Sequence, residues 1–487
     1  MAWADLVTIA PLIGAILVAG AIILADIIRP GDRTSALIVS FVGLAIVAAL
    51  TLQTSGTTAN AFGGAYRVDP LTTFLDLLFI SIVALTILFA PDYLEPRGLP
   101  IAEFAAVLVF AMVGTMLISA ATDLLVLFLG LELMVLPGYM LAGYAKRDAL
   151  STEGAIKYFL LGSFSSAIFL FGLAFVWGLS GSTRVADVAT HVAAMVNGNA
   201  PFSPGLAMGL AFLSTGVAFK IAAVPFHYWT PDAYQGSPTP ITGYLSVGPK
   251  IGAFALIIRL FIGALAPAKA DWFAVVVVLA AVTMTLGNLV ALTQNNVKRM
   301  LAYSSIAHTG YMLVGLAAYA GGQISGLEGL LYYGAAYTFM NLGAFAVVAA
   351  LQRRPGVTSQ LDTFAGLGRR EPLLGILMTL FLLSLTGIPP TAGFFGKFSV
   401  ILPAVQAGGW LTVLAVIAVV NAAAAAFYYL RVVVYMFMRE PATEADTSRH
   451  SSLVWTGLWA TTALTIFLGL FPGPLLAIVT DAAKALP

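Results

Sequence analysis

The chain has 487 residues, of which 60% are apolar and only 9% charged, with a net charge of +1. A soluble domain carries about 25% charged residues, so an ordinary water-facing surface is excluded, and so is a basic nucleic-acid-binding face. There is no cysteine, which removes disulfides, thiol catalysis and thiolate-held iron–sulfur clusters together.

The first apolar run extends from Leu6 to Ile28. Met1 to Asp5 holds no positive charge and Arg29 and Arg33 follow the run, so it predicts a retained first helix rather than a signal peptide. About 20 helical residues cross a bilayer. Apolar runs separated by short polar or Pro/Gly breaks predict fourteen spans: 4–28, 34–54, 70–92, 100–120, 122–145, 150–179, 205–227, 240–266, 271–293, 299–320, 324–351, 372–404, 409–438 and 451–480. Runs this long are helices, because barrel strands alternate over about ten residues. The fold class is therefore an all-α polytopic membrane protein. The mixed stretch 180–204 predicts a short outer-surface helix from Val185 to Val196.

Fourteen spans put both termini on one side and divide the loops into two sets. One set carries thirteen basic residues, Arg97, Lys298, Arg299, Arg353 and Arg354 among them. The other carries four: Arg67, Arg184, Lys269 and Lys484. Positive charge collects inside, which places the termini on the outer, periplasmic side.

Six basic residues remain within spans: Lys157, Lys220, Lys250, Arg259, Lys397 and Arg431. Asp76, Glu132 and Glu328 join them. A charge at the bilayer centre costs at least about 2.5–3.5 kcal/mol and persists only if it faces the protein interior, pairs or meets water. Glu132 and Lys250 lie near the midplane, Lys157 nearer the inner face and Arg259 toward the outer face. Arg431 is close enough to an end to snorkel. For Arg259, Asp76 and Glu328, pairing and function both stay open. Desolvation lowers a lysine's pKa and a nearby carboxylate raises it, so a buried lysine with a movable carboxylate partner loads and releases a proton. A fixed salt bridge would only hold helices together. Several lysines at midplane depth on different spans are wasteful as glue and point to a proton path.

Two spans look broken. One contains Lys220 followed by Pro225; the other contains Gly387-Ile388-Pro389-Pro390 followed by Lys397. Proline removes a backbone donor and clashes with the preceding turn. Either break alone reads equally as a packing kink. The pair, each beside a lysine, predicts a duplicated transport unit. His227 and His308 are the histidines within spans, and both a core role and a proton relay stay open for them. Neither has a second ligand at helical spacing, so a metal is not expected. No dinucleotide fingerprint, P-loop or H-E-x-x-H motif occurs. The chain is expected to hold no cofactor and to move protons rather than electrons.

These residues carry a resemblance. The run Phe219 to Pro240, with its Trp229-Thr230-Pro231-Asp232 core, is similar to the antiporter-like subunits of proton-pumping NADH–quinone oxidoreductase, respiratory complex I. So are Leu131-Glu132-Leu133, Lys298 to His308, and Gly387 to Pro390. The W-T-P-D form and Glu153 to Phe159 look like the N type among them. The resemblance implies two inverted five-helix repeats, 100–266 and 271–438, each with a broken helix, flanked by N-terminal helices in 1–99 and a last helix in 451–487. It implies proton translocation coupled to NADH oxidation and quinone reduction in other subunits, within a bacterial inner membrane. Glu132 matches the carboxylate of span five, Lys220 the lysine of span seven, Lys250 that of span eight and Lys397 that of span twelve. His227 and Lys157 match further polar positions, and His308 sits in span ten without a carboxylate matching Glu132. A Glu132–Lys220 pair is the implied switch. Implied partners are lipid and other membrane-arm subunits, notably the antiporter-like M and the small K. A sodium/proton antiporter, a membrane-bound hydrogenase subunit and a non-conducting structural subunit are the alternatives.

Overall fold

A computed structural model describes residues 3–197, 203–440 and 449–486. The helices in chain order are α1 (Trp3–Thr8), α2 (Ala10–Ile28), α3 (Arg33–Gln53), α4 (Pro70–Phe89), α5 (Pro91–Leu94), α6 (Ile101–Ala120), α7 (Leu124–Ala142), α8 (Ala149–Ser180), α9 (Val185–Asn197), α10 (Pro204–Lys220) and α11 (Trp229–Gly236). Then come α12 (Thr239–Ile257), continued as a π-helix over Ile258–Ala264, α13 (Lys269–Ala291), α14 (Val297–Ala320), α15 (Ser325–Leu351), α16 (Leu367–Arg370), α17 (Pro372–Thr386), α18 (Ala392–Ala407), α19 (Trp410–Met438), α20 (Ser452–Leu470) and α21 (Gly473–Lys484).

Among the described residues, eleven helices are long and apolar enough to cross a membrane. The chain is thus a polytopic, helical membrane protein. Runs 205–227 and 372–404 do not form continuous helices. The first stops at Lys220 and resumes as α11; the second divides into α17 and α18. Helix α14 is continuous but too polar to rank with the eleven, because Ser304, Ser305 and His308 lie along it. Protein surrounds it on nearly every side, which is the setting in which a polar helix is tolerated at membrane depth.

Polar residues set the ends. Asp32, Asp69, Asp123, Asp148, Ser203, Asn296 and Ser451 each accept a backbone N–H of the helix that follows, satisfying donors that an N-terminus leaves unpaired. Two expectations need correction. Run 451–480 is not one helix, since the chain turns at Phe471–Pro472 and α21 follows separately. The stretch before α4 holds a small antiparallel hairpin, β1 (Ala59–Ala61) with β2 (Tyr66–Val68), paired Ala59↔Val68 and Ala61↔Tyr66. The helix predicted at Val185–Val196 is present as α9.

The loops gather at two ends as the charge sets divide them. At one end Tyr66 bridges Ala121 and Asp123 bridges Arg184. Both ends of the described chain lie there: Phe62 N–H donates to Asp5 (3.3 Å) and Arg67 to the Ala485 carbonyl (3.4 Å). At the other end Arg97 donates to the carbonyls of Gln352, Arg353 and Arg354, Arg299 pairs with Asp232, and His450 meets Glu371. Between them, α12 and α15 are almost wholly buried. Helices α3, α8, α13 and α19 turn Val42, Phe164, Val278 and Val420 outward, an apolar exterior that suits lipid or a partner.

Candidate functional site

The first break follows from one proline. In a helix the Ile221 carbonyl would accept from residue 225, and Pro225 has no N–H. That carbonyl is buried and accepts instead from Thr309 Oγ1 of α14 at 2.8 Å. Thr283 of α13 accepts the Val224 N–H at 3.0 Å, and the Trp229 indole donates to the Phe219 carbonyl at 3.1 Å. The unwound segment 221–228 is therefore held by side chains, including a cis peptide at Val224–Pro225. Lys220, the last residue of α10, is buried and reaches across to α8, where it donates to Ser166 Oγ at 2.9 Å and the Gly162 carbonyl at 3.5 Å.

The second break uses the same logic twice. The carbonyls of Leu385 and Thr386 would accept from residues 389 and 390, and both are prolines. Lys397 Nζ takes both carbonyls, at 3.0 and 2.7 Å. A lysine at a helix C-terminus also complements the negative end of the helix dipole. Gly387 turns the chain with φ +94 beside the Lys397 stem. Here the lysine comes from the half-helix after the break, whereas Lys220 ends the half-helix before it.

Helix α14 connects the two breaks. Lys250 of α12 donates to both the carbonyl and the hydroxyl of Ser305, each at 2.6 Å. Thr309, one turn further along, also contacts the Ser305 carbonyl (3.3 Å) while holding Ile221. His308 is fully enclosed. Its Nδ1 lies 2.7 Å from Tyr333 OH of α15 and its Nε2 3.2 Å from Tyr429 OH of α19. Tyr429 OH meets Ser304 Oγ at 2.5 Å. The Lys397 ammonium sits 4.7 Å over the Tyr311 ring. Tyr333 packs where a Cβ on Gly396 would stand, one residue from Lys397. The structure thus gathers Lys250, His308 and Lys397 around α14, with Tyr337 between Lys250 and His308 and Tyr311 between Lys397 and His308, while Lys220 lies at the first break with its ammonium turned to α8.

Other candidates fall elsewhere. Glu132 makes no direct contact with Lys220, which is turned to Ser166, but it is the carboxylate close enough to act on that lysine electrostatically, and its Oε1 is buried with no hydrogen-bond partner. His227 is buried against Tyr228, its Nδ1 also without a partner. Lys157 lies apart from this set, partly exposed, bridging Glu153 (2.6 Å) and Asp232 (2.7 Å). Lys298, expected in an inner loop, is buried and donates to the Ser237 carbonyl at 2.5 Å. Arg431 does more than anchor at the interface, because it caps the α13 C-terminus through the carbonyls of Leu292 and Gln294. Glu328 is half-buried in the first turn of α15. Arg259 forks onto Asp69 with two contacts of 2.8 Å. Burial alone would raise the Asp69 carboxyl, but Arg259 and Thr72 outweigh it and hold the group below the usual carboxylate range. Tyr333, Tyr429, Ser166 and Thr309 were not singled out from sequence, since nothing in their local spacing marks them. Among the described residues no cluster of three or more acidic or histidine side chains is placed to hold a metal.

Two interrupted helices set among buried lysines define an antiporter-like membrane protein. The pattern of the family described as "NADH:quinone oxidoreductase/Mrp antiporter, TM" matches residues 121–422. NADH-quinone oxidoreductase subunit N of Trichlorobacter lovleyi is 43% identical over 430 residues, covering 88% of this chain and 86% of that protein. Subunit N of Chloroflexus aggregans is 40% identical over 477 residues, covering 98% and 96%. Among solved structures, a chain of respiratory complex I from Thermus thermophilus with bound aureothin aligns with a TM-score of 0.78 at 32% identity, covering 96% of this chain and 98% of that one. A chain of the Mrp complex from Dietzia sp. DQ12-45-1b shares the fold (TM-score 0.83, 22% identity, covering 100% and 98%). The chain belongs to the NADH-quinone oxidoreductase subunit N family.

Proposed function

We propose that this chain translocates protons in the membrane arm of an NADH–quinone oxidoreductase, in a bacterial inner membrane. Oxidation of NADH and reduction of quinone then belong to other subunits, and this chain carries no cofactor. The reading takes fourteen spans with periplasmic termini, organised as two inverted repeats, 100–266 and 271–438, with flanking helices in 1–99 and 451–487. The antiporter-like M and the small K subunits are its neighbours.

The observation that supports it best is the buried polar set around α14: Lys250 on Ser305, Tyr337 between Lys250 and His308, Tyr311 between Lys397 and His308, and Thr309 holding the broken helix beside Lys220. A neutral imidazole donates from one nitrogen and accepts at the other. His308 therefore passes a proton between Tyr333 and Tyr429 by exchanging those roles. Lys220 rests on Ser166, and Glu132 has an open oxygen, so a swing of the lysine tail closes or opens the pair. Closing it favours the charged lysine and opening it releases the proton. His227, beside the first break, and Lys157, on the inner ion-pair network, serve entry to this set.

The test is NADH-driven proton uptake in inverted membrane vesicles. Lys220→Ala and Glu132→Ala each reduce uptake sharply while the complex still assembles. Intact uptake in both assembled variants overturns the proton path.

A further inference from the structure

A second polar cluster lies at the outer-loop end of the molecule, on α4, α6 and the π-helix. Thr115 of α6 packs its methyl against Gly252 and donates its hydroxyl to the Met112 carbonyl at 2.7 Å. Ser119 follows Thr115 by four residues, on the same helix face. Ser119 Oγ lies 2.6 Å from Asp76 Oδ1 of α4, and the Ser119 carbonyl accepts from Arg259 Nε at 2.8 Å. Arg259 stands nine residues beyond Lys250, about 13 Å along the axis, inside the π-helix Ile258–Ala264. Such helices concentrate at functional sites. Beyond Arg259 come Asp69 and then the partly exposed Arg67, 3.6 Å from Asp69.

Counting hydrogens distinguishes the two carboxyls. The Arg259 fork is taken by Asp69, Thr72 Oγ1 and the Ser119 carbonyl. Asp76 is buried and contacts Ser119 instead of a cation. Ser119 has one hydroxyl hydrogen, yet its oxygen lies 2.6 Å from Asp76 and 2.8 Å from the Met116 carbonyl. With Asp76 ionised both neighbours are acceptors and one close contact lacks a hydrogen. With Asp76 protonated, its O–H donates to Ser119, whose own hydrogen goes to Met116, and both contacts are hydrogen bonds. The groups facing Asp76 are Ser119 from α6, Tyr66 from β2, Arg259 from the π-helix and Asp69 at the head of α4.

From this we infer that Asp76 is a proton-holding carboxylic acid at the outer-loop end, served by the Ser119 hydroxyl and closed off by the Asp69–Arg259 pair. The inference rests on the proton-translocating reading above. The Ser119 hydroxyl accepts one proton as it gives up another, so no net charge stays on it. While Arg259 grips Asp69, that carboxylate is a poor base. When Arg259 leaves it, Asp69 becomes the next acceptor outward and Asp76 discharges.

The test uses the complete complex in its membrane, with Asp76→Asn, Asp76→Glu and Lys220→Ala. Infrared difference spectra of wild type minus Asp76→Asn are expected to show a deuterium-sensitive C=O band of a protonated carboxyl. Protons moved per NADH oxidised are expected to fall in Asp76→Asn and recover in Asp76→Glu. Absence of the band overturns the inference. So does an unchanged proton yield in assembled Asp76→Asn, provided that Lys220→Ala lowers it. If Lys220→Ala also leaves the yield unchanged, the parent reading fails, and the band alone decides whether Asp76 holds a proton. Failure of Asp76→Asn to assemble also overturns the inference, because the amide is the isostere of the neutral acid.

Discussion

Thr309→Val tests how the first helix break is held. Valine keeps the volume and branching of threonine but removes the one donor to the Ile221 carbonyl, which bonds Thr309 Oγ1 at 2.8 Å. Pro225 removes the N–H that an unbroken helix would offer, and Ile221 is buried away from water. Leaving a buried acceptor unpaired costs about 1–3 kcal/mol. At about 2 kcal/mol, the equilibrium between the ordered and opened segment 221–228 shifts roughly 30-fold toward the opened form. Thr309→Ser keeps the donor and should retain most of the stability. The measurement is thermal unfolding of the detergent-purified complex, read with protease sensitivity around residues 221–228. A Thr309→Val protein as stable and as resistant as wild type would refute the claim that Thr309 replaces the missing amide.

Further outcomes follow from other contacts. Tyr429→Phe fills the same space but removes the hydroxyl between Ser304 and His308. Proton uptake per NADH oxidised in vesicles should fall several-fold without loss of assembly. Gly393→Ala places a methyl 1.8 Å from the Ser384 carbonyl oxygen. Overpacking of a tight core contact costs about 1–3 kcal/mol or more, so the variant's melting temperature and yield should both drop. For Asp232, burial pushes the carboxyl upward, but Lys157 and Arg299 outweigh it and hold the group below the usual range. A carboxyl with a depressed folded pKa stabilises the fold above its unfolded value of about 3.9 and loses that contribution as pH falls through the folded pKa. Asp232→Asn should therefore melt below wild type near neutrality, and the two curves should converge in acid.

The breaks were legible because proline and lysine announce themselves in an apolar run. Pro225, Pro389 and Pro390 remove N–H groups whatever surrounds them, and a lysine nearby stands out against alanine and leucine. What Lys250 and His308 touch is not legible. Ser305, Tyr333 and Tyr429 come from three different helices, and Tyr429 meets His308 across 121 residues of sequence. A tyrosine in a span reads as packing until its hydroxyl is seen to point at a histidine. Lys298 reads as a loop charge because the predicted span 299–320 begins just after it, whereas α14 already includes it. Only the fold shows Ser237 waiting for its ammonium. The Glu132–Lys220 pair is implied by resemblance, and resemblance does not say which way a long side chain turns: the ammonium rests on Ser166. The split of 451–480 had a local signal, Phe471-Pro472-Gly473, which the apolar run masked.

Helix α14 has a consequence for how the protein is made. It opens on Lys298 and Arg299, and its middle carries Ser304, Ser305 and His308. Such a segment gains little by entering lipid alone, since charged residues oppose insertion. It packs closely on α13, where Gly287 and Gly310 let the two backbones approach, and a connection of only five residues, 292–296, joins them. The two are therefore suited to leave the insertion machinery as a hairpin, with apolar α13 carrying its polar partner into the bilayer. The same polarity that equips α14 to sit beside the lysines makes its birth dependent on a neighbour.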